Sequence, residues 1–169
     1  RLGPSLNSFL TSEEWPKKLS GLSLEEARLE AVDEDGQKRN ANGPIIFSHF
    51  GISGHATFAL SSHLAFTKID QVHPLKIHLT PIADRGFEAW DQLLQKTIQQ
   101  NGARQIHNLL GEFLPQRLAD TVLELAKISL QKKSAEISKI DRKTLVHLLS
   151  GKLELTLLQR RPGDEFVTA

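Results

Sequence analysis

Apolar residues change their spacing twice along this chain, near Asp84 and again near Gly151. Before the first change they form short runs or alternate with polar residues. Ala27, Leu29 and Ala31 alternate with Arg28, Glu30 and Val32 ahead of Asp33-Glu34-Asp35-Gly36. The local composition of Leu24 to Ala31 favours helix, but alternation before a turn signal predicts a strand, with Asp35-Gly36 reversing the chain into a hairpin through Gln37 to Arg39. Ile45-Ile46-Phe47 predicts a strand covered on both faces, and Leu75 to Leu79, bounded by Pro74 and Pro81, a half-buried one. Thr11-Ser12-Glu13-Glu14 has the spacing of a capping box and predicts a short helix there, with Pro16 in its first turn. Ala56 to His63 is compatible with a helix capped by Ser53.

Between the two changes the spacing is helical. Phe87, Trp90, Leu94 and Ile98 mark one helix ending near Asn101-Gly102, and Ile106, Leu109 and Leu110 a second. A third begins about Pro115 with Leu118, Val122 and Leu125 on one face. The fourth, capped by Asp141, bears Leu145, Leu148 and Leu149 and closes at Gly151. Alternation returns in Leu153 to Leu157, followed by an Arg161-Pro162-Gly163-Asp164 turn and Phe166-Val167. These elements predict an α+β fold, a β subdomain of residues 1 to 83 and 152 to 169 carrying a helical subdomain of residues 84 to 151. The strands at Leu75 to Leu79 and Leu153 to Leu157 then belong to one domain, with the two junctions close in space.

Composition narrows the function more than it defines it. The chain has 169 residues, 39% hydrophobic and 24% charged, an ordinary globular balance. Lys and Arg number 21 against 20 Asp and Glu, so no global charge excess draws in nucleic acid or an anionic membrane surface. Cysteine is absent, which excludes disulfides, thiolate metal ligands and a cysteine nucleophile, and fits a cytoplasmic setting. No apolar run approaches the roughly 18 residues of a membrane-spanning helix. The chain opens without Met and stops at Val167-Thr168-Ala169 within an apparent strand, as expected of a domain excised from a longer polypeptide.

The chemistry concentrates in residues 43 to 54, Gly-Pro-Ile-Ile-Phe-Ser-His-Phe-Gly-Ile-Ser-Gly. An apolar strand runs into a Ser48-His49 pair and then into two small-residue turns, so the strand delivers its end to a possible site. Gly51 to Gly54 can present backbone amides to a ligand at the start of a helix, or can be a corner that needs small residues to turn. His49 can transfer a proton or hydrogen-bond a carbonyl near neutral pH, or can be a buried histidine satisfied by backbone. Alternation puts it on the opposite face from Ser48 and Phe50. A dinucleotide fingerprint and a phosphate-loop lysine are absent. His55, His63, His73 and His78 have no compact ligand spacing, so no metal site is expected. Gly51-Ile52-Ser53-Gly54 lacks the Gly-x-Ser-x-Gly of a nucleophile elbow. Phe87 and Trp90 fall at helix-core spacing and read as packing residues.

The same block resembles the F-T-H-x-G-x-S-G-P stretch of bacterial FAD-dependent oxidoreductases that include the aminoacetone-oxidase-like and BaiN-like flavoproteins. Ser48 stands in place of Thr, and His55 in place of Pro. Leu19-Ser20-Gly21-Leu22-Ser23-Leu24, Leu114-Pro115-Gln116-Arg117-Leu118-Ala119 and Phe166-Val167-Thr168-Ala169 extend the resemblance over nearly the whole chain. It implies a domain inserted between two halves of an FAD-binding domain, with a small barrel shaped like those of translation factors and an orthogonal helical lobe. FAD would be bound mainly by those halves of the same polypeptide and not by the isolated chain. Ser48, His49, Gly51, Ser53 and Gly54 would face cofactor or substrate, with His49 as the catalytic candidate. The substrate would be a small organic molecule and the electron partner NAD(P)H or oxygen. A different class of function is a non-catalytic module whose helices dock a protein partner; an apolar patch between Pro115 and Ile128 would favour it.

Overall fold

A computed structural model describes residues 4–161 and 166–167. The chain divides into two compact units, Arg1–Asp84 with Leu153–Ala169, and Arg85–Lys152. The first is built on a closed antiparallel barrel of six strands: β2 (Phe9–Thr11), β5 (Gly51–Ser53), β4 (Lys38–Phe47), β3 (Ser23–Val32), β6 (Leu75–Thr80) and β7 (Leu153–Arg160), which pairs back onto β2. A separate two-stranded ribbon joins β1 (Pro4–Ser5) to β8 (Phe166–Val167). The Arg161 to Asp164 turn lies for the most part outside the described residues.

Alternation decides β3, as expected. Leu24, Ala27, Leu29 and Ala31 are buried, and the break in their spacing is a bulge between Leu24 and Ala27 that leaves Glu25 and Glu26 both exposed. Helix propensity loses because the alternating face covers a core, which an isolated helix could not do. The hairpin reverses where Asp33 Oδ1 accepts the amides of Asp35 and Gln37, both at 2.9 Å, and Gly36 adopts φ +77°. Inside the barrel Phe9, Leu29, Ile45, Phe47, Ile52, Ile77, Leu79 and Leu155 are fully buried. A barrel of so few strands is filled by its own side chains.

Three local expectations fail in this unit. Ile46 is 42% exposed, so β4 is covered on one face only; a barrel strand turns alternate residues outward. Thr11 belongs to β2 and the short helix α1 runs from Trp15 to Lys18, behind an N-cap Glu14 whose side chain makes no capping bond. Glu13 is drawn instead to the amide of Thr156 at 2.8 Å, because closing β2 onto β7 takes precedence over a capping box. Helix α2 (His55–His63) is capped by Gly54 and not by Ser53, which is still in β5.

The helical unit contains α3 (Phe87–Gln100), α4 (Ile106–Leu110), α5 (Gln116–Leu125) and α6 (Lys139–His147), with a short turn of 3-10 helix at Ser134–Glu136. Trp90, Leu118, Val122, Leu123, Leu145, Val146 and Leu149 are fully buried. The cap of α6 is Ser138, whose hydroxyl accepts the amide of Asp141 at 3.0 Å. Asp141 therefore lies in the first turn, where its charge still complements the helix dipole. Gly151, at φ +121°, lets the chain leave the helix toward β7.

Candidate functional site

The strand end of β4 runs into a two-residue hairpin tip. Ser48 N donates to Gly51 O at 2.9 Å and Gly51 N to Ser48 O at 3.3 Å, which leaves His49 and Phe50 at the turn. His49 is exposed while Ser48 and Phe50 are half-buried, the alternation anticipated for the three. The imidazole stands edge-on to the Phe50 ring, centroids 5.3 Å apart at 85°. Phe50 is pinned through its carbonyl, which accepts Thr11 N at 3.1 Å, and its ring carries the Arg161 guanidinium at 4.3 Å. Ser48 Oγ is buried without a hydrogen-bond partner.

The two glycines have a different employment. A Cβ on Gly51 would collide with the Phe9 carbonyl oxygen and lie 2.9 Å from Thr11 N. One on Gly54 would lie 3.0 Å from Ile45 Cα, Ile46 N and Pro44 O. Gly54 also sits at φ +95° and ψ 178°, a region that only glycine enters readily. The close partner of both is therefore the barrel backbone. Gly51-Ile52-Ser53 is a strand wedged between β2 and β4, with Ile52 opposite Phe9 on one side and Phe47 on the other.

Ser53 is likewise engaged within the fold. Its hydroxyl shares a 2.8 Å hydrogen bond with Ser8 Oγ, and its carbonyl accepts Thr57 Oγ1 at 2.8 Å. One turn further along α2, Ser61 Oγ accepts Asn7 N at 3.1 Å and donates to Asn7 Oδ1 at 3.3 Å. Asn7, Ser8, Thr57 and Ser61 are buried, so this polar seam fixes α2 against the barrel. Arg160 closes the far end of α2, donating to the carbonyls of Leu64 and Thr67 at 2.5 and 3.4 Å, and burial pushes its pKa below the ordinary guanidinium range. Nothing in the sequence spacing distinguishes these serines and threonines from surface ones; only the packing of α2 and β5 against the link between β1 and β2 pairs them.

The structure thus brings Ser48, His49 and Phe50 together with Arg161, a residue that sequence reasoning passed over. It turns Gly51, Ser53 and Gly54 inward. The four histidines weighed as metal ligands are dispersed: His55 opens α2 and His63 ends it, His73 bonds Asp70 at 2.9 Å, and His78 on β6 lies 3.5 Å from Glu154. A concavity of about 260 Å³ is lined by Glu25, Glu26, Asn42, Gly43, Ala83 and Asp84 at the β3 bulge. Between Pro115 and Ile128 the apolar residues Leu118, Val122, Leu123 and Ile128 are buried in their own unit, and Leu125 is 40% exposed.

A family model described as HI0933-like protein barrel and H2TH domain matches residues 3–162, in keeping with a barrel that carries a helical unit between β6 and β7. The chain belongs to the family of HI0933-like protein barrel and H2TH domains. No curated protein matches it. In this barrel and H2TH domain the hairpin tip is accessible, whereas the glycines that carry much of the resemblance serve the barrel itself.

Proposed function

We propose that this chain is the flavin-covering, substrate-side insert of an FAD-dependent oxidoreductase, akin to the aminoacetone-oxidase-like and BaiN-like enzymes and acting on a small organic molecule. Membership of the barrel and H2TH family is the observation that carries the reading. The barrel interior supports it in a second way. It is filled with side chains, and Gly51 and Gly54 are packed on backbone, so neither the interior nor these two glycines offer a cradle for a dinucleotide. FAD then belongs to the FAD-binding halves of the parent polypeptide, with NAD(P)H or oxygen as electron partner. What the chain contributes is a rim. There His49 offers an exposed imidazole that can hydrogen-bond or exchange a proton with a bound molecule.

Two measurements test this. The purified 169-residue chain is expected to be colourless, and the full-length parent to copurify with a flavin chromophore. A parent without flavin, or micromolar FAD affinity in the isolated chain, would refute the assignment. In the parent, His49→Gln should preserve flavin content and abolish one limb of the pH–rate profile. An unchanged profile would remove His49 from proton transfer.

A further inference from the structure

We infer that Phe50 is a positioning residue for His49, its ring holding the exposed imidazole in one orientation at the hairpin tip. The inference rests on the flavoprotein reading above, in which His49 meets the bound molecule. Among the described residues His49 makes no side-chain hydrogen bond or ion pair. An exposed imidazole without such a bond exchanges among its staggered rotamers, and its nitrogens then point in several directions. What limits that exchange here is the edge contact with Phe50, centroids 5.3 Å apart and planes at 85°. Edge-to-face pairs at this separation raise the population of the paired arrangement about two- to tenfold. For a group that delivers or accepts a proton, the rate follows the share of time spent in the productive orientation.

Phe50 can orient its neighbour because it is held itself. The two residues form a tip tied at its base by Ser48 N to Gly51 O at 2.9 Å and Gly51 N to Ser48 O at 3.3 Å, which leaves little backbone slack between the rings. The Phe50 carbonyl accepts Thr11 N from β2 at 3.1 Å, its side chain is half-buried, and the Arg161 guanidinium carbon stands 4.3 Å from the ring centroid. Gly51 contributes by what it lacks, since a Cβ there would push the strand after the tip away from Phe9 O and Thr11 N. The barrel thus fixes the tip, and the tip presents the ring to the imidazole.

Two measurements test this. In the 169-residue chain, NMR couplings across the His49 Cα–Cβ bond report its rotamers. One dominant rotamer is expected in the wild type and in Phe50→Tyr, and averaged couplings in Phe50→Leu with the circular dichroism unchanged. In the full-length parent, Phe50→Leu should lower kcat about two- to tenfold while flavin content and the pH–rate limb of His49 persist, and Phe50→Tyr should recover most of the loss. Combined with His49→Gln, Phe50→Leu should lower kcat no further, because it acts through a group already removed. Averaged couplings in the wild-type chain overturn the inference, and they decide alone if Phe50→Leu does not fold. It is equally overturned by couplings that Phe50→Leu leaves unchanged, by an undiminished kcat, or by a loss that multiplies with that of His49→Gln. A flavin-bearing parent with averaged wild-type couplings sinks the positioning role alone. A flavin-free parent with one His49 rotamer in the chain sinks the oxidoreductase reading and leaves the orienting contact standing.

Discussion

At the scale of single residues, Gly51 and Gly54 separate stability from chemistry. Each has backbone where a side chain would begin, and Gly54 also holds a conformation that costs other residues about 1–3 kcal/mol. Gly51→Ala and Gly54→Ala should each lower the unfolding free energy by about 1–3 kcal/mol in urea titrations, through overpacking and backbone strain. His49→Gln should leave it within about 0.5 kcal/mol, as for an exposed position. Equal stability in the glycine variants would return those amides to the ligand side. The glycines were conspicuous in the sequence because a ligand and a neighbouring strand make the same demand for absent bulk. Spacing does not distinguish the two. Arg161 was read only as the start of a turn for a related reason, since its ring partner Phe50 is more than a hundred residues away along the chain.

At the scale of elements, the helical unit is tied by Asp91. This buried carboxylate on α3 accepts Lys143 at 2.8 Å and Arg142 at 3.0 Å from α6. The hydrogen bond from Lys143, and then that from Arg142, hold its pKa below the ordinary 3.8 against the opposing effect of burial. A carboxylate depressed in the folded state stabilises fully above its unfolded pKa. That contribution is lost as pH falls from about 3.8 toward the lower folded value. Asp91→Asn should therefore reduce stability at neutral pH by about 1.5–3 kcal/mol and flatten the acid side of the stability curve below pH 4. Thermal melts across that range check both, and a variant as acid-sensitive as the wild type would clear Asp91. The helices themselves were legible because their apolar spacing is set by burial in one unit. Their caps were less so. Ser138 and Asp141 are both good capping residues three apart, and local chemistry does not say which begins the helix. At Thr11 a competing strand pairing, invisible in a short window, displaced the helix start.

At the scale of the whole chain, β6 and β7 are neighbours in the barrel, with Leu79 opposite Leu153. The helical unit is entered and left between them. Replacing residues 85–152 with a short Gly/Ser linker should leave a soluble barrel with native-like β circular dichroism and a cooperative melt; an aggregated or unfolded product would show that the barrel depends on the helices. The α+β class and the closed barrel follow from two spacings, two-residue alternation and helical recurrence, that the core enforces along the chain. Closure itself was not legible in them, because β2 and β5 contribute only three residues each. The ribbon of β1 and β8 has one more consequence, best expressed as polymer entropy. It sets Pro4 opposite Val167, so a host polypeptide continuing from both sides would see a closure of a few residues in place of one spanning 169. For a flexible chain that difference is about 3 kcal/mol, which a host fold need not find from its own contacts.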